Sequence, residues 1–285
     1  MRSLLFLPST RLERFEKAIN SGADAVILDL EDGVDPGSRA NARAALTDLA
    51  SADFRNVGNR IYIRINTQRC PDGILDMAMA LAWEHWPKGF MLPKVEHTSE
   101  IRQIQELAVA KSKPIDLIPV IESAIGLARA EHIAAECGEI GGLAFGAVDY
   151  VSETRGSLER DTLLGPRSRI VNAAAIAAAP AIDGPWLDLD DIDGLEEDCR
   201  HARSLGFAGK IAIHPKHVAT INRMLRPSAA EVDWARRVIE ASAHAGTGAF
   251  AFEGRMIDAP VLAQARRLLD QAGGNLRAGN GGHDG

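Results

Sequence analysis

The stretch "LIPVIES" (117–123) puts five residues without charge in a row and then a carboxylate, Glu122. A strand with one wet face would alternate apolar and polar residues; this one does not. Continuous hydrophobicity over so short a run marks a strand covered on both faces, as in a parallel sheet under helices. "GLAFGAVD" (142–149) repeats the design and ends in Asp149. Working outward, the same kind of run recurs at 3–9 (SLLFLPS), 25–32 (AVILDLED), 60–66 (RIYIRIN), 89–96 (GFMLPKVE), 180–183 (PAID) and 209–215 (GKIAIHP). The eight runs start 22 to 38 residues apart.

Helical periodicity fills the gaps. "RLERFEKAINSGA" (11–23) aligns Leu12, Phe15, Ala18 and Ile19 and stops at Gly22. "SEIRQIQELAVAKS" (99–112) aligns Ile101, Ile104, Leu107 and Ala108 behind a Ser99 cap. Eight alternating units predict an α/β protein, a (β/α)8 TIM barrel over residues 1–225. A doubly wound open sheet is the second reading, weakened because "GAVDYVSETRG" lacks the glycine fingerprint of such folds. Residues 226–275 read as a helical and extended appendage that covers its own or a neighbouring active site. It opens with a Ser228-x-x-Glu231 capping box and turns at Gly254. Residues 276–285, glycine-rich and polar, are expected to be disordered.

Composition narrows the function. Thirty-nine acidic and 32 basic side chains give a net charge of −7, with no Lys/Arg block, so no nucleic-acid partner is expected. No apolar run approaches the roughly 20 residues that span a bilayer, so no membrane partner is expected. The apolar part of "MRSLLFLPSTR" is too short for a secretory leader. Cys70, Cys137 and Cys199 are odd in number and lack metal or disulfide spacing, which suits core filling in a reducing, cytoplasmic setting.

Catalytic groups of such barrels sit where strands end. Here the run ends carry Asp29, Glu31 and Asp32; Arg64 and Asn66; Lys94 and Glu96; Glu122; Asp149; and His214. Neighbouring strands lie about 4.8 Å apart, so Glu122 and Asp149 could reach one ion. Two oxygen ligands with water suit Mg²⁺; zinc would want His or Cys. A structural ion pair of Glu122 with Arg64 or Lys94 is the alternative. Arg64, among Ile61, Ile63 and Ile65, needs an anion, either from substrate or from Asp29 or Asp32. Lys94 reads as a carboxylate or phosphate contact or an ordinary ion pair. Asp258, before "APVLAQARRLL", reads by position as a helix cap.

"LDLEDGV" (28–34), "RIN" (64–66), "MLPKVE" (91–96), "IESAIGL" (121–127), "FGAVD" (145–149), "GFAGKIAIHP" (206–215) and "GRMIDAP" (254–260) resemble, in this order, motifs of the citrate lyase β-subunit-like branch of the HpcH/HpaI aldolase superfamily. The resemblance spans residues 2 to about 272. It implies a trimeric or hexameric (β/α)8 barrel that cleaves or forms a C–C bond in a 3-hydroxyacyl-CoA thioester such as malyl-, citramalyl- or citryl-CoA. The products would be an acyl-CoA, such as acetyl-CoA, and a 2-keto acid. It implies Mg²⁺ (with Mn²⁺ as substitute) on Glu122 and Asp149, and coenzyme A as substrate carrier. Arg64 would stand at the reacting carbonyl, and Glu31 and Asp32 would line the site. Asp258 would act on the enolate carbon in a neighbour's active site. Asp29, Lys94 and Arg11 complete the expected substrate contacts. "PSTR" (8–11) and Ile125 depart from the family's usual "PGNR" and Arg. The rival readings are an aldolase on free 2-keto-hydroxy acids, a subunit working on a carrier-protein thioester, and a non-catalytic CoA-thioester binding protein. The loop 183–191, with Trp186, is the expected selector of the acyl group.

Overall fold

Both faces of each apolar run are covered because the strands close on themselves and helices wrap the outside. A computed structural model describes residues 1–244 and 248–273. The strands are β1 Ser3–Pro8, β2 Ala25–Asp29, β3 Ile61–Arg64, β4 Gly89–Leu92, β5 Asp116–Ile121, β6 Leu143–Phe145, β7 Ala181–Asp183 and β8 Gly209–Ala212. They form a closed barrel in chain order, and β1 returns to β8 with Leu4 opposite Ile211. Every neighbouring pair is parallel.

The helices of this unit are α1 Phe15–Ile19, α2 Arg39–Val57, α3 Pro71–Leu81, α4 Thr98–Ala110, α5 Ala124–Ala128 and α6 Ala130–Glu136. They continue as α7 Ala147–Thr154, α8 Arg160–Ile176, α9 Ile192–Leu205 and α10 Pro215–Met224. Two sequence expectations shift here. The helix expected over 11–23 is split: a 3₁₀ turn runs Ser9–Arg14, with Arg11 at φ −127°, ψ 36°, before α1 begins. The start of α4 lies ahead of Ser99, because Glu100 folds back onto the backbone N–H groups of Glu96 (2.8 Å) and His97 (3.1 Å).

Side chains alternate across each strand. One set, including Leu4, Ala25, Ile27, Tyr62, Met91, Ile118, Val120, Ala144, Ile182 and Ile211, packs together as the barrel interior. The other joins the larger core under the helices, with Leu28, Ile61, Ile63, Phe90, Ile121 and Phe145. Two further steps of the inner set lead from Ile27 to Asp29, from Tyr62 to Arg64 and from Val120 to Glu122. The polar groups at these strand ends are the inward face continued to the mouth.

Chain contacts divide the molecule into two units, Met1–Leu225 and Arg226–Gly285. The second contains α11 Ala229–His244, a hairpin of β9 Phe250–Phe252 and β10 Arg255–Ile257, and α12 Ala259–Gly273. Ala235, Val238, Ile257 and Ala265 form its own small core. The Ser228–Glu231 capping box is present, with Ser228 N donating to Glu231 (2.8 Å) and Glu231 N to Ser228 Oγ (3.2 Å). Glu253 and Gly254 both take positive φ (49° and 75°), the turn that a two-residue hairpin needs. The tail 276–285 lies outside the described residues. Among the described residues no helix is long and apolar enough to cross a membrane.

Candidate active site

The loop "LEDG" after β2 builds one wall. Asp29 Oδ1 accepts the N–H of Glu31 (3.0 Å), and Oδ2 that of Gly33 (2.9 Å). A Cβ on residue 33 would stand 2.4 Å from Asp29 Oδ2, so this closure needs glycine. Wrapping the loop around Asp29 places Glu31 over the mouth.

Arg64 ends the neighbouring strand. Its Nε and Nη2 each donate to Asp29 at 2.6 Å, a bidentate pair, and Nη1 lies 3.0 Å from Glu31 Oε2. The guanidinium also stacks on the Phe6 ring, 4.4 Å from its centroid. Burial alone would depress its pKa, but the bond to Asp29 and the charges of Asp29, Glu31 and Asp32 outweigh that and raise it. Of the anions weighed for Arg64, the internal pair is Asp29, joined by Glu31; Asp32 acts only through its field.

Lys94 follows β4, and the chain has already turned. Its φ is +54°, a left-handed conformation. Its N–H donates to Glu122 Oε1 (2.7 Å), and its ammonium donates to Glu31 Oε1 (2.6 Å). The same Nζ lies 3.3 Å from Asp149 Oδ2 and 3.6 Å from Asp32 Oδ1. Burial lowers its pKa, yet the Glu31 bond and the surrounding carboxylates more than reverse this. Glu96, expected at this strand end, leaves the mouth to pair with Arg69 and accept from Ser123 Oγ (2.7 Å).

Glu122 is 6% exposed. Its pKa is pushed up to about 8, first by burial and then by the charges of Glu31 and Asp149. In place of the alternative reading, an ion pair with the Lys94 or Arg64 side chain, Glu122 accepts a hydrogen bond from the Lys94 backbone. Glu31 is raised as well, chiefly by burial. Asp149 does not end a strand. β6 stops at Phe145, the chain turns at Gly146, and Asp149 sits in the first turn of α7. A Cβ at Gly146 would meet Glu122 Oε2 at 2.2 Å, so glycine lets this turn come against Glu122.

The arrangement suits a divalent cation. Asp149 Oδ2 is buried and accepts no hydrogen bond. The donor set is all oxygen, as Mg²⁺ and Mn²⁺ prefer. Among the described residues no cluster of three or more His, Cys, Asp and Glu has metal-holding geometry, so a two-carboxylate site would leave positions for water and substrate.

Other expected residues lie elsewhere. The Arg11 guanidinium pairs with Glu13 (2.9 Å) at the surface. His214 caps α10, its Nδ1 accepting from Lys216 N at 3.2 Å. Asp258, in the second unit, is exposed and caps α12, with Oδ1 accepting the N–H of Val261 (3.2 Å). Trp186 lines a cavity of about 540 Å³ with Leu158, Leu163 and Leu187. One cluster was missed by sequence reasoning. Lys210, wholly buried under α8 and α9, bridges Asp183 (2.6 Å) and Asp198, and Arg167 donates to both.

A parallel eight-stranded barrel whose mouth gathers five carboxyl groups around one pinned arginine and one lysine is an enzyme scaffold suited to cation-assisted chemistry. Residues 2–215 match the family described as HpcH/HpaI aldolase/citrate lyase, and residues 160–273 match one described as a C–C bond lyase of the TIM-barrel fold. The chain is 39% identical over 276 residues to a citrate lyase subunit beta-like protein of Mycobacterium tuberculosis, covering 94% of each. It is 30% identical over 290 residues to the mitochondrial citramalyl-CoA lyase of Rattus norvegicus, covering 95% of this chain and 86% of that one. The crystal structure of M. tuberculosis CitE in complex with magnesium, acetoacetate and coenzyme A matches with a TM-score of 0.80 at 37% identity, covering 95% of this chain and 98% of that one. The chain belongs to the HpcH/HpaI aldolase/citrate lyase family.

Proposed function

We propose that this protein is a Mg²⁺-dependent carbon–carbon lyase acting on a 3-hydroxyacyl-CoA thioester of the malyl, citramalyl or citryl type. It would release, or in reverse condense, an acyl-CoA such as acetyl-CoA and a 2-keto acid. The observation that carries the reading is the convergence of Glu122, Asp149 and the Asp29-pinned Arg64 on one mouth. The magnesium complexes of a similar protein support it.

When bound at Glu122 and Asp149, Mg²⁺ would polarise the hydroxyl and carboxylate of the keto-acid half. Arg64 is held ready for charge that develops on oxygen, because Asp29 fixes its plane before substrate arrives. Comparable donors contribute roughly 3 to 4 kcal/mol to transition-state stability. Glu31 and Asp32 shape the polar wall beside it. Proton transfer at the enolate carbon is assigned to Asp258, on the resemblance of "GRMIDAP". A homotrimer or hexamer belongs to the same proposal, and light scattering on a sizing column tests it.

The deciding experiment incubates the protein with Mg²⁺ and malyl-, methylmalyl-, citramalyl- and citryl-CoA and detects keto acid and CoA product. Turnover of free hydroxy acids alone would favour the aldolase reading. Turnover only on a carrier-protein thioester would favour the subunit reading. Tight CoA-thioester binding without product would make this a binding protein.

A further inference from the structure

We propose that the Lys94 ammonium is the resident counter-cation of the mouth, and that a divalent cation binds by taking Asp149 away from it. The inference rests on the metal reading above and adds a residue that sets the strength of metal binding.

Lys94 is built into its position. A side chain at φ +54° is strained, and such strain persists only where the surroundings over-determine it. Here three bonds do so. The N–H is held by Glu122 (2.7 Å), the carbonyl accepts from Arg69 Nη2 (2.7 Å), and the ammonium donates to Glu31 (2.6 Å). The left-handed turn sends the backbone to one candidate ligand while the side chain reaches the other.

The ammonium's contacts are unequal. Its bond to Glu31 is short and well formed. Toward Asp149 it stands 3.3 Å away, and Asp149 Oδ2 accepts no hydrogen bond there. The link of Lys94 to the carboxylate that a cation needs is therefore loose; only Asp32, at 3.6 Å, lies farther from the ammonium. A divalent ion could take Asp149 while Lys94 stays on Glu31, but it would do so beside a fixed positive charge. Like charges a few ångströms apart in a partly buried site repel, so the native lysine weakens metal binding. The cluster then holds together without metal and stays loose toward it.

The test is Mn²⁺ binding to the free protein, followed by electron paramagnetic resonance and calorimetry. Lys94→Met should tighten Mn²⁺ binding roughly tenfold or more. Lys94→Arg, which keeps the charge, should bind as the native protein does. Lys94→Gln, neutral and still able to donate to Glu31, serves where Lys94→Met does not fold and should also bind more tightly. Native protein that binds Mn²⁺ with neutral variants binding no tighter overturns the displacement and leaves the metal reading standing. Native protein that binds no Mn²⁺ overturns both. A measurement without variants is reductive methylation read by mass spectrometry: Mg²⁺ should speed modification of Lys94 and leave buried Lys210 unreactive. An unchanged or slower rate at Lys94 overturns the proposal.

Discussion

Asp29 grips Arg64 by two parallel hydrogen bonds of 2.6 Å, and the same two carboxylate oxygens receive the N–H groups of Glu31 and Gly33. One side chain thus orients the arginine and folds the loop beside it. Asp29→Ala should destabilise the protein by roughly 2 to 4 kcal/mol, because it leaves a mostly buried guanidinium with Glu31 as its remaining ion-pair partner among the described residues. Urea denaturation measures this. Asp29→Asn, which keeps the shape, should cost less stability yet lower kcat by about a hundredfold as Arg64 loses its fixed plane.

Glu122 and Asp149 carry the metal reading. Asp149→Asn or Glu122→Ala should abolish both Mg²⁺ activation and calorimetrically detected Mn²⁺ binding, and chelation of the native protein by EDTA should abolish turnover. A variant fully active in EDTA would contradict the assignment.

Glu122 also makes stability depend on pH. Its carboxyl titrates at about 8 when folded, against an ordinary 4.5. Below about 4.5 both folded and unfolded chains hold the proton, so the group makes no difference to stability. Between about 4.5 and 8 the folded state alone keeps it, so the folded state binds more protons and stability falls as pH rises. Above about 8 the loss is constant. Thermal denaturation in EDTA should show Tm declining across that window, and Glu122→Gln should flatten the decline.

Asp258 separates two roles. As a helix cap it should be worth about 1 kcal/mol, and Asn caps nearly as well as Asp. Asp258→Asn should therefore leave Tm almost unchanged while lowering turnover by orders of magnitude. Unchanged turnover would leave Asp258 a cap alone.

Lys210 tests the buried network away from the mouth. Lys210→Met leaves Asp183 and Asp198 sharing only Arg167, and should destabilise the protein by roughly 3 to 5 kcal/mol. Mn²⁺ affinity should not change, because none of the mouth carboxylates touches this cluster among the described residues.

The eight barrel strands were legible because being covered on both faces writes itself as an unbroken apolar run. The inward placement of Asp29, Arg64 and Glu122 follows from the two-residue period once the strands are known. Asp149 was placed on a strand because "GAVD" prolongs the apolar run; Gly146, where the chain turns, was the available signal. The left-handed Lys94 had no sequence mark, since glycine and asparagine are the usual residues there. The Arg167–Asp183–Asp198–Lys210 cluster joins β7, β8, α8 and α9, and pattern along a chain does not reveal such partners. A lysine inside "GKIAI" was its only trace.

The mouth holds five carboxyl groups against two basic side chains. Such a surplus of negative potential draws in cations and turns anions back. The anionic reactants of the proposed function would meet a repulsive entrance until a divalent ion had settled. On the proposed function, this charge balance would favour an order of addition, metal before acid, with the bound ion admitting the anionic reactants.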